Sequence, residues 1–207
     1  MAGIQLNFTN IAQFISLFGP YFLIFFMVML SIFNQNFKGL LYLFGIFLLI
    51  GFNILLTNFY KKNLNLNEFV NIPYYCNLFE VTNLSQYSYP NLSSMMISFT
   101  LIYLFLPMIF NNQINFIVIF TLLSMLIIDT FGKKYMGCSN YTKCFAGTIF
   151  GLIFGAIWYF VILFSCSKEK LYFNELSSNN VVCKRPSKQT FKCSVYKNGK
   201  LISSNIA

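Results

Sequence analysis

Long apolar segments without charged side chains are the feature that most constrains this chain. Only 9% of its 207 residues are charged and 57% are hydrophobic, whereas about a quarter of the residues in a typical soluble domain are charged. A bilayer core about 30 Å thick requires roughly 17–25 apolar residues per helix. The sequence therefore predicts an all-α integral membrane protein with five transmembrane helices, at residues 11–33, 39–56, 94–110, 115–129 and 145–166.

The connections between these spans organise the chain. Residues 34–38 and 111–114 are short, which predicts two antiparallel helix pairs, whereas 57–93 forms a long loop rich in Asn and Tyr. We therefore divide the chain into a transmembrane helical bundle, residues 1–166, and a polar basic tail, residues 167–207.

The distribution of basic residues predicts the orientation in the membrane. With five spans, the tail lies on the opposite side of the membrane from the two longer loops, and its side carries more Lys and Arg residues, most of them in the tail itself. The positive-inside bias therefore places the tail in the cytosol and the long loops in a lumen or outside. The N-glycosylation sequons fall on the predicted lumenal face and begin at Asn7, Asn83, Asn91 and Asn140. An Asn-rich chain also produces sequons by chance, so their use stays open. An ER-like endomembrane and a virion membrane both fit this arrangement.

The tail carries a hairpin signal. Asn198-Gly199 lies between two segments of alternating residues, the pattern of a β-hairpin with a two-residue turn. We expect strands at 191–196 and 200–202. Because an isolated hairpin is marginally stable, we expect this one to pack on its own protein or on lipid headgroups, with a dedicated partner as the alternative.

The absence of histidine excludes several kinds of site. With no His in the sequence, the chain has no His general base, no Ser-His-Asp triad and no His metal ligand. Its six cysteines include no Cys-x2-Cys pair, the spacing typical of zinc sites. We expect no metal and no cofactor.

Three cysteines, Cys76, Cys138 and Cys144, lie on the predicted lumenal face, where a disulfide is permitted. Cys138 with Cys144 is the nearest pairing, and Cys76 with either of them is the alternative. Cys183 and Cys193 flank a turn in the tail and would pair only if the tail met an oxidant. Unpaired thiols remain the alternative for each pair.

Two segments at the entrances to the third and fifth spans carry a family pattern. The first, Tyr89–Met96, contains Pro90; the second, Gly132–Gly147, begins with Gly-Lys and ends in Ala-Gly. Together they resemble the second and third signatures of the type-2 phosphatidic acid phosphatase and haloperoxidase superfamily, Pro-Ser-Gly-His and Ser-Arg-x5-His-x3-Asp before an Ala-Gly-rich helix. The resemblance covers residues 40–165, is mostly architectural, and implies a phosphatase-like helical bundle.

The family's catalytic residues are replaced at the matching positions. In the family, one His attacks phosphorus, a second protonates the leaving group and an Asp orients one of them. Here Ser93 occupies the position of the acid His, Ser139 that of the nucleophilic His, and Lys143 that of the Asp. Lys133 replaces the Arg, which keeps the charge but loses the bidentate fork. The resemblance therefore implies an inactive relative, although Ser93 or Ser139 with a Lys base is a conceivable nucleophile.

Lysines outnumber acidic residues on the predicted lumenal face. If they converge, they could hold a lipid phosphate; the alternative is a set of separate solvated lysines. Asp129 lies four residues before Lys133, a spacing that favours an ion pair along one helix face. The candidate headgroup-binding lysines are Lys61, Lys62, Lys133, Lys134 and Lys143.

Gly147, Gly151 and Gly155 form a stripe of small residues along the fifth span. Such a stripe permits close approach of a second helix backbone. We expect it to pack inside the bundle, with homo-oligomerisation as the alternative.

These observations favour a non-enzymatic multi-pass membrane protein that resembles an inactive lipid-phosphate phosphatase and has a structural or lipid-headgroup-binding role. One alternative is a divergent active phosphatase for lipid phosphates or polyprenyl diphosphates. Another is a viral or organelle membrane scaffold whose basic tail docks a coat or capsid partner. Membrane lipids are the expected partners, and no nucleic acid is expected.

Overall fold

The computed structural model describes residues 8–63, 76, 89–165, 192–197 and 200–206. The chain divides into two compact units, residues 1–177 and 178–207. Within the described part of the first unit there are five helices: α1 (Phe8–Phe33), α2 (Lys38–Asn63), α3 (Leu92–Phe110), α4 (Phe116–Tyr135) and α5 (Tyr141–Ser165). All five are long and apolar enough to cross a membrane, which confirms the predicted class of multi-pass, all-α membrane protein.

The helices extend beyond the charge-free segments that the sequence marks. The predicted fourth span ends at Asp129, whereas α4 continues to Tyr135, so that Asp129 and Lys133 both lie within the helix. A charge-free run gives the length of the apolar part of a helix but not of the whole helix. Lysine is a good helix former, so a helix can continue through it. Capping residues mark the bounds of α4 instead, with Asn115 before the helix and Met136 after it.

Three helices end in the same capping structure. The second residue after each helix has a left-handed backbone, with φ of 49° at Gln35, 54° at Asn112 and 72° at Gly137. After α4, the amides of Gly137 and Cys138 donate to the carbonyls of Lys134 and Lys133, at 3.1 and 2.9 Å. This pair of bonds is the Schellman motif, which satisfies the last carbonyls and reverses the chain direction. It makes the short connections between consecutive helices.

Helix α3 lies at the centre of the bundle. Of its apolar window 61% is buried, compared with 22% to 33% in the other four helices. The glycine stripe of α5 faces it: a Cβ on Gly147 would lie 2.5 Å from the Asn91 carbonyl oxygen, and one on Gly155 would lie 2.9 Å from that of Phe99. The stripe thus serves the close packing of α5 on α3 within one chain.

The outer surfaces of the helices carry large apolar side chains. Phe47, Phe116 and Phe164 are exposed on three different helices, an arrangement expected where helices face lipid rather than water. Inside, Tyr42, Phe99 and Tyr103 form a ring cluster with centroids 5.7 to 5.9 Å apart. The Tyr42 hydroxyl is satisfied by Thr100 Oγ1 at 2.7 Å.

In the second unit, the described backbone forms two antiparallel strands, β1 (Lys192–Lys197) and β2 (Lys200–Ile206). Lys197 pairs with Lys200, and the register shifts between Val195 and Tyr196. The second strand is longer than the predicted 200–202. The predicted turn residues, Asn198 and Gly199, lie outside the described residues.

Candidate functional site: a buried polar cluster around Asp129

The Asp129 carboxylate is fully buried near the end of α4. We refer to it and the side chains around it as the Asp129 cluster, which consists of Asn91, Ser93, Ser94, Asp129 and Lys133. A carboxylate inside a membrane-spanning helix is costly unless donors surround it. Each oxygen of this carboxylate has such donors.

Two of the donors come from the first turn of α3. Ser93 Oγ donates to Asp129 Oδ1 at 2.7 Å, and Ser94 Oγ donates to Oδ2 at 2.8 Å. The turn begins here because Asn91 caps the helix, its Oδ1 accepting from the Ser94 amide at 3.3 Å. The positive end of the α3 dipole also favours a carboxylate at this place.

Lys133 provides the compensating charge. Its Nζ lies 3.4 Å from Asp129 Oδ1, which confirms the predicted pairing four residues apart on one helix face. The same ammonium donates to Asn91 Oδ1 at 3.0 Å and to Ser93 Oγ. Since Lys133 is only 8% exposed, the ion pair is largely withdrawn from water.

Helices α1 and α5 also contact the residues around Asp129. Ser16 of α1 donates to the Asp129 carbonyl at 3.3 Å, and the Asn91 amide donates to the Lys143 carbonyl at 3.1 Å. A Cβ on Gly132 would lie 2.9 Å from that of Ser16, so that α1 approaches α4 closely beside the cluster. Four of the five helices therefore meet around one buried carboxylate.

The two segments with the family-like pattern lie at this end of the bundle. The Lys133 carbonyl accepts from the Cys138 and Ser139 amides, at 2.9 and 3.3 Å, while the Lys133 ammonium reaches Ser93. The Ser139 hydroxyl interacts with the Cys144 thiol, which also contacts Ser94. Ser93 and Ser139 thus lie against the side chain and the main chain of the same lysine.

The candidate headgroup lysines do not form one group. Lys133 points into the protein, whereas Lys62 and Lys134 are exposed, and Lys134 Nζ lies 5.6 Å from the centroid of the Tyr141 ring. Lys143 is half-buried, and the Lys61 side chain lies outside the described residues. Lys133 therefore differs from the exposed lysines, because its charge is used by Asp129.

The structure joins Cys76 to Cys138, with 5.5 Å between their Cα atoms, and leaves Cys144 as a buried thiol. Of the pairings considered above, Cys138 with Cys144 is not formed. Cys138 is paired with Cys76 instead, and Cys144 lies buried in the first turn of α5 with its thiol near Ser94 and Ser139. The side chains of Cys183 and Cys193 lie outside the described residues.

Sequence reasoning missed Asn91, Ser94 and Ser16 as members of the site. Asp129 was the sequence feature that could have led to them, because an acid within an apolar helix requires hydrogen-bond donors. Consecutive serines at the start of another span can supply such donors. The structure also shows Asn53 donating to the Pro90 carbonyl at 2.8 Å, which fixes the entrance to α3.

The cluster has the chemistry of a closed polar network. One carboxylate is matched by one ammonium, and the serine hydroxyls are bonded to the carboxylate. Among the described residues, no group of three or more Cys, Asp or Glu side chains is arranged to hold a metal ion. The arrangement holds α3 and α4 together through side chains that are bonded to one another.

In comparisons with known proteins, no family model, curated protein or solved structure matches the chain.

Proposed function

We propose that this chain is a non-enzymatic multi-pass membrane protein with a structural or lipid-headgroup-binding role, on a scaffold like that of lipid-phosphate phosphatases. The observation that carries the proposal is the use of Ser93 and Lys133 by Asp129. These residues stand at two positions where the phosphatase pattern requires catalytic groups. Here they stabilise helix packing.

The hydrogen-bond partners of Ser93 support an inactive site. A serine nucleophile activated by lysine donates its proton to a neutral amine. In this cluster the Lys133 ammonium donates to Ser93 Oγ, and Ser93 donates in turn to the Asp129 carboxylate at 2.7 Å. Ser93 and Lys133 are thus both engaged by the Asp129 carboxylate, which also accepts from Ser94.

The exposed lysines at the same end of the bundle support the headgroup role. Lys62 ends α2 and Lys134 ends α4, and both side chains are exposed. Lysine ammonium groups at a membrane surface attract anionic headgroups. The lipid phosphate would therefore bind outside the Asp129 cluster.

The disulfide supports the proposed orientation. Disulfides form in oxidising compartments, and the Cys76–Cys138 bond joins the loop before α3 to the connection between α4 and α5. We therefore place this end of the bundle in a lumen or outside, and the basic tail in the cytosol.

A phosphate-release assay tests the absence of activity. Protein reconstituted in phosphatidylcholine vesicles that contain phosphatidate should release inorganic phosphate no faster than empty vesicles. Release that Ser93→Ala or Ser139→Ala abolishes, and that Ser124→Ala on the outer part of α4 leaves intact, would instead support a divergent phosphatase.

Lipid co-purification tests the headgroup role. The double variant Lys62→Glu/Lys134→Glu should lose the enrichment of anionic over zwitterionic lipid seen with the wild type. Lys38→Glu is the matched control, because Lys38 begins α2 at the opposite end of that helix, and it should keep the enrichment. Equal enrichment in the double variant and the wild type would contradict headgroup binding by these lysines.

A further inference from the structure

A cavity of about 390 Å³ lies between α1, α3 and α4. Its floor is formed by buried residues, among them Met27, Thr100 and Leu104, and its rim includes the exposed side chains of Phe26 and Thr121. The cavity therefore opens at the outer surface of the helices. Its volume falls within the range of about 300–1,000 Å³ typical of small-molecule sites.

The walls of this cavity offer only apolar contacts. Two hydroxyls line it, and both are bonded within the protein: Thr100 Oγ1 lies 2.8 Å from the Met96 carbonyl oxygen and Thr121 Oγ1 lies 2.8 Å from that of Val118. The other lining residues are apolar or glycine. Cavities of this kind stay dry and accept apolar molecules.

The cavity lies within the membrane-spanning part of the helices. On α1 it extends from Gly19 to Met27, and on α4 from Val118 to Met125, one helical turn before Asp129. Both segments lie within the charge-free parts of helices long enough to cross a bilayer. At that depth the surrounding medium consists of lipid hydrocarbon chains.

We propose that this cavity binds one acyl chain of a membrane phospholipid. Lipid acyl chains are the apolar molecules that surround the protein at this depth, and the lining offers them only apolar contacts. A single chain enters from the side, through the rim formed by Phe26 and Thr121. Acyl-chain binding requires that the helices lie in a membrane, but it requires none of the surface lysines. It can therefore be tested independently of headgroup binding.

Retention of a neutral phospholipid tests the proposal. The full chain is reconstituted with dioleoylphosphatidylcholine, extracted into detergent, and examined by native mass spectrometry for bound lipid. Val118→Trp fills the cavity from α4, and its matched control is Ile117→Trp, since Ile117 is 77% exposed and does not line the cavity. Thr121→Phe at the rim is a second, milder variant, and circular dichroism checks that each variant is helical.

The wild type and Ile117→Trp should retain one phosphatidylcholine molecule. Both cavity variants should retain it about tenfold less, which corresponds to about 1.4 kcal/mol of binding free energy. Equal retention in the Thr121→Phe and Ile117→Trp variants, no retained lipid in the wild type, or a second copy of the chain in its place would overturn the proposal. Because phosphatidylcholine carries no net charge, failure of headgroup binding by Lys62 and Lys134 would leave this result unchanged.

Discussion

Ser93 Oγ lies 2.7 Å from Asp129 Oδ1 and 2.9 Å from Oδ2, so the start of α3 is bonded to the carboxylate of α4. Burial of a charge is costly, and the cost is offset only where an opposite charge and further donors surround it. Lys133 and Ser94 complete that arrangement. The consequence is a helix junction in which deletion of one charged member leaves the other buried without its partner.

Removal of the carboxylate should be strongly destabilising. In the Asp129→Ala variant, the buried Lys133 ammonium loses its counter-charge and Ser94 loses its acceptor on α4. We expect a loss of about 3–5 kcal/mol in the free energy of unfolding, as when one partner of a buried ion pair is deleted. Unfolding in mixed micelles, followed by circular dichroism, measures this loss.

Two further variants separate the ion pair from a general effect of mutation. Asp129→Leu/Lys133→Met removes both charges and should recover most of the loss, because an apolar pair of similar volume often replaces a buried ion pair at little cost. Lys134→Met, at the exposed neighbouring position, should change stability by no more than about 0.5 kcal/mol. A double variant as unstable as Asp129→Ala would contradict the charge argument.

The contact between α3 and α5 should depend on Gly151. A Cβ at this position would lie 2.9 Å from the Met95 Cα and against the Met95 carbonyl oxygen, so Gly151→Ala must push the two backbones apart. We expect destabilisation of about 1–3 kcal/mol, as is typical of overpacking, in the same unfolding measurement.

Gly51 on α2 provides the matched control for the Gly151→Ala substitution. A Cβ there would have no neighbour within 4 Å, so Gly51→Ala should stabilise the helix by up to about 1 kcal/mol through helix propensity alone. If both alanine variants shifted stability in the same direction, the close packing of α5 on α3 would not explain the glycine stripe.

The end of α4 should depend on the backbone conformation of Gly137. Its φ is +72° and a Cβ there would meet no atom within 4 Å, so Gly137→Ala adds backbone strain and no clash. We expect a loss of about 1–2 kcal/mol, the cost of a left-handed conformation for an L-residue. Gly137→Asn should lose less, because asparagine tolerates this conformation. Equal stability of the alanine variant and the wild type would contradict this account of the cap.

The sequence predicted those features that depend on composition or on neighbours along one helix. Apolar length gave the five helices, and a spacing of four residues gave the pairing of Asp129 with Lys133. The partners Ser94 and Ser16 could not be derived in this way, because they come from other helices and reach Asp129 only after α1 and α3 have packed against α4. Similarly, nearness along the chain favoured Cys144 as the partner of Cys138, whereas the structure pairs Cys138 with Cys76, 62 residues away along the sequence.

The disulfide between Cys76 and Cys138 should be detectable by peptide mapping. After proteolysis without reduction, mass spectrometry should find these two cysteines linked, and Cys144 should react with an alkylating reagent only once the protein is denatured, because it is buried. With a sequence separation of 62, loss of the bond in Cys138→Ser should destabilise the protein by about 4 kcal/mol on the chain-entropy account. Cys144→Ala is the control, and it should preserve the linked peptide. A peptide linking Cys138 to Cys144, or one that disappears in Cys144→Ala, would show that the pairing is different.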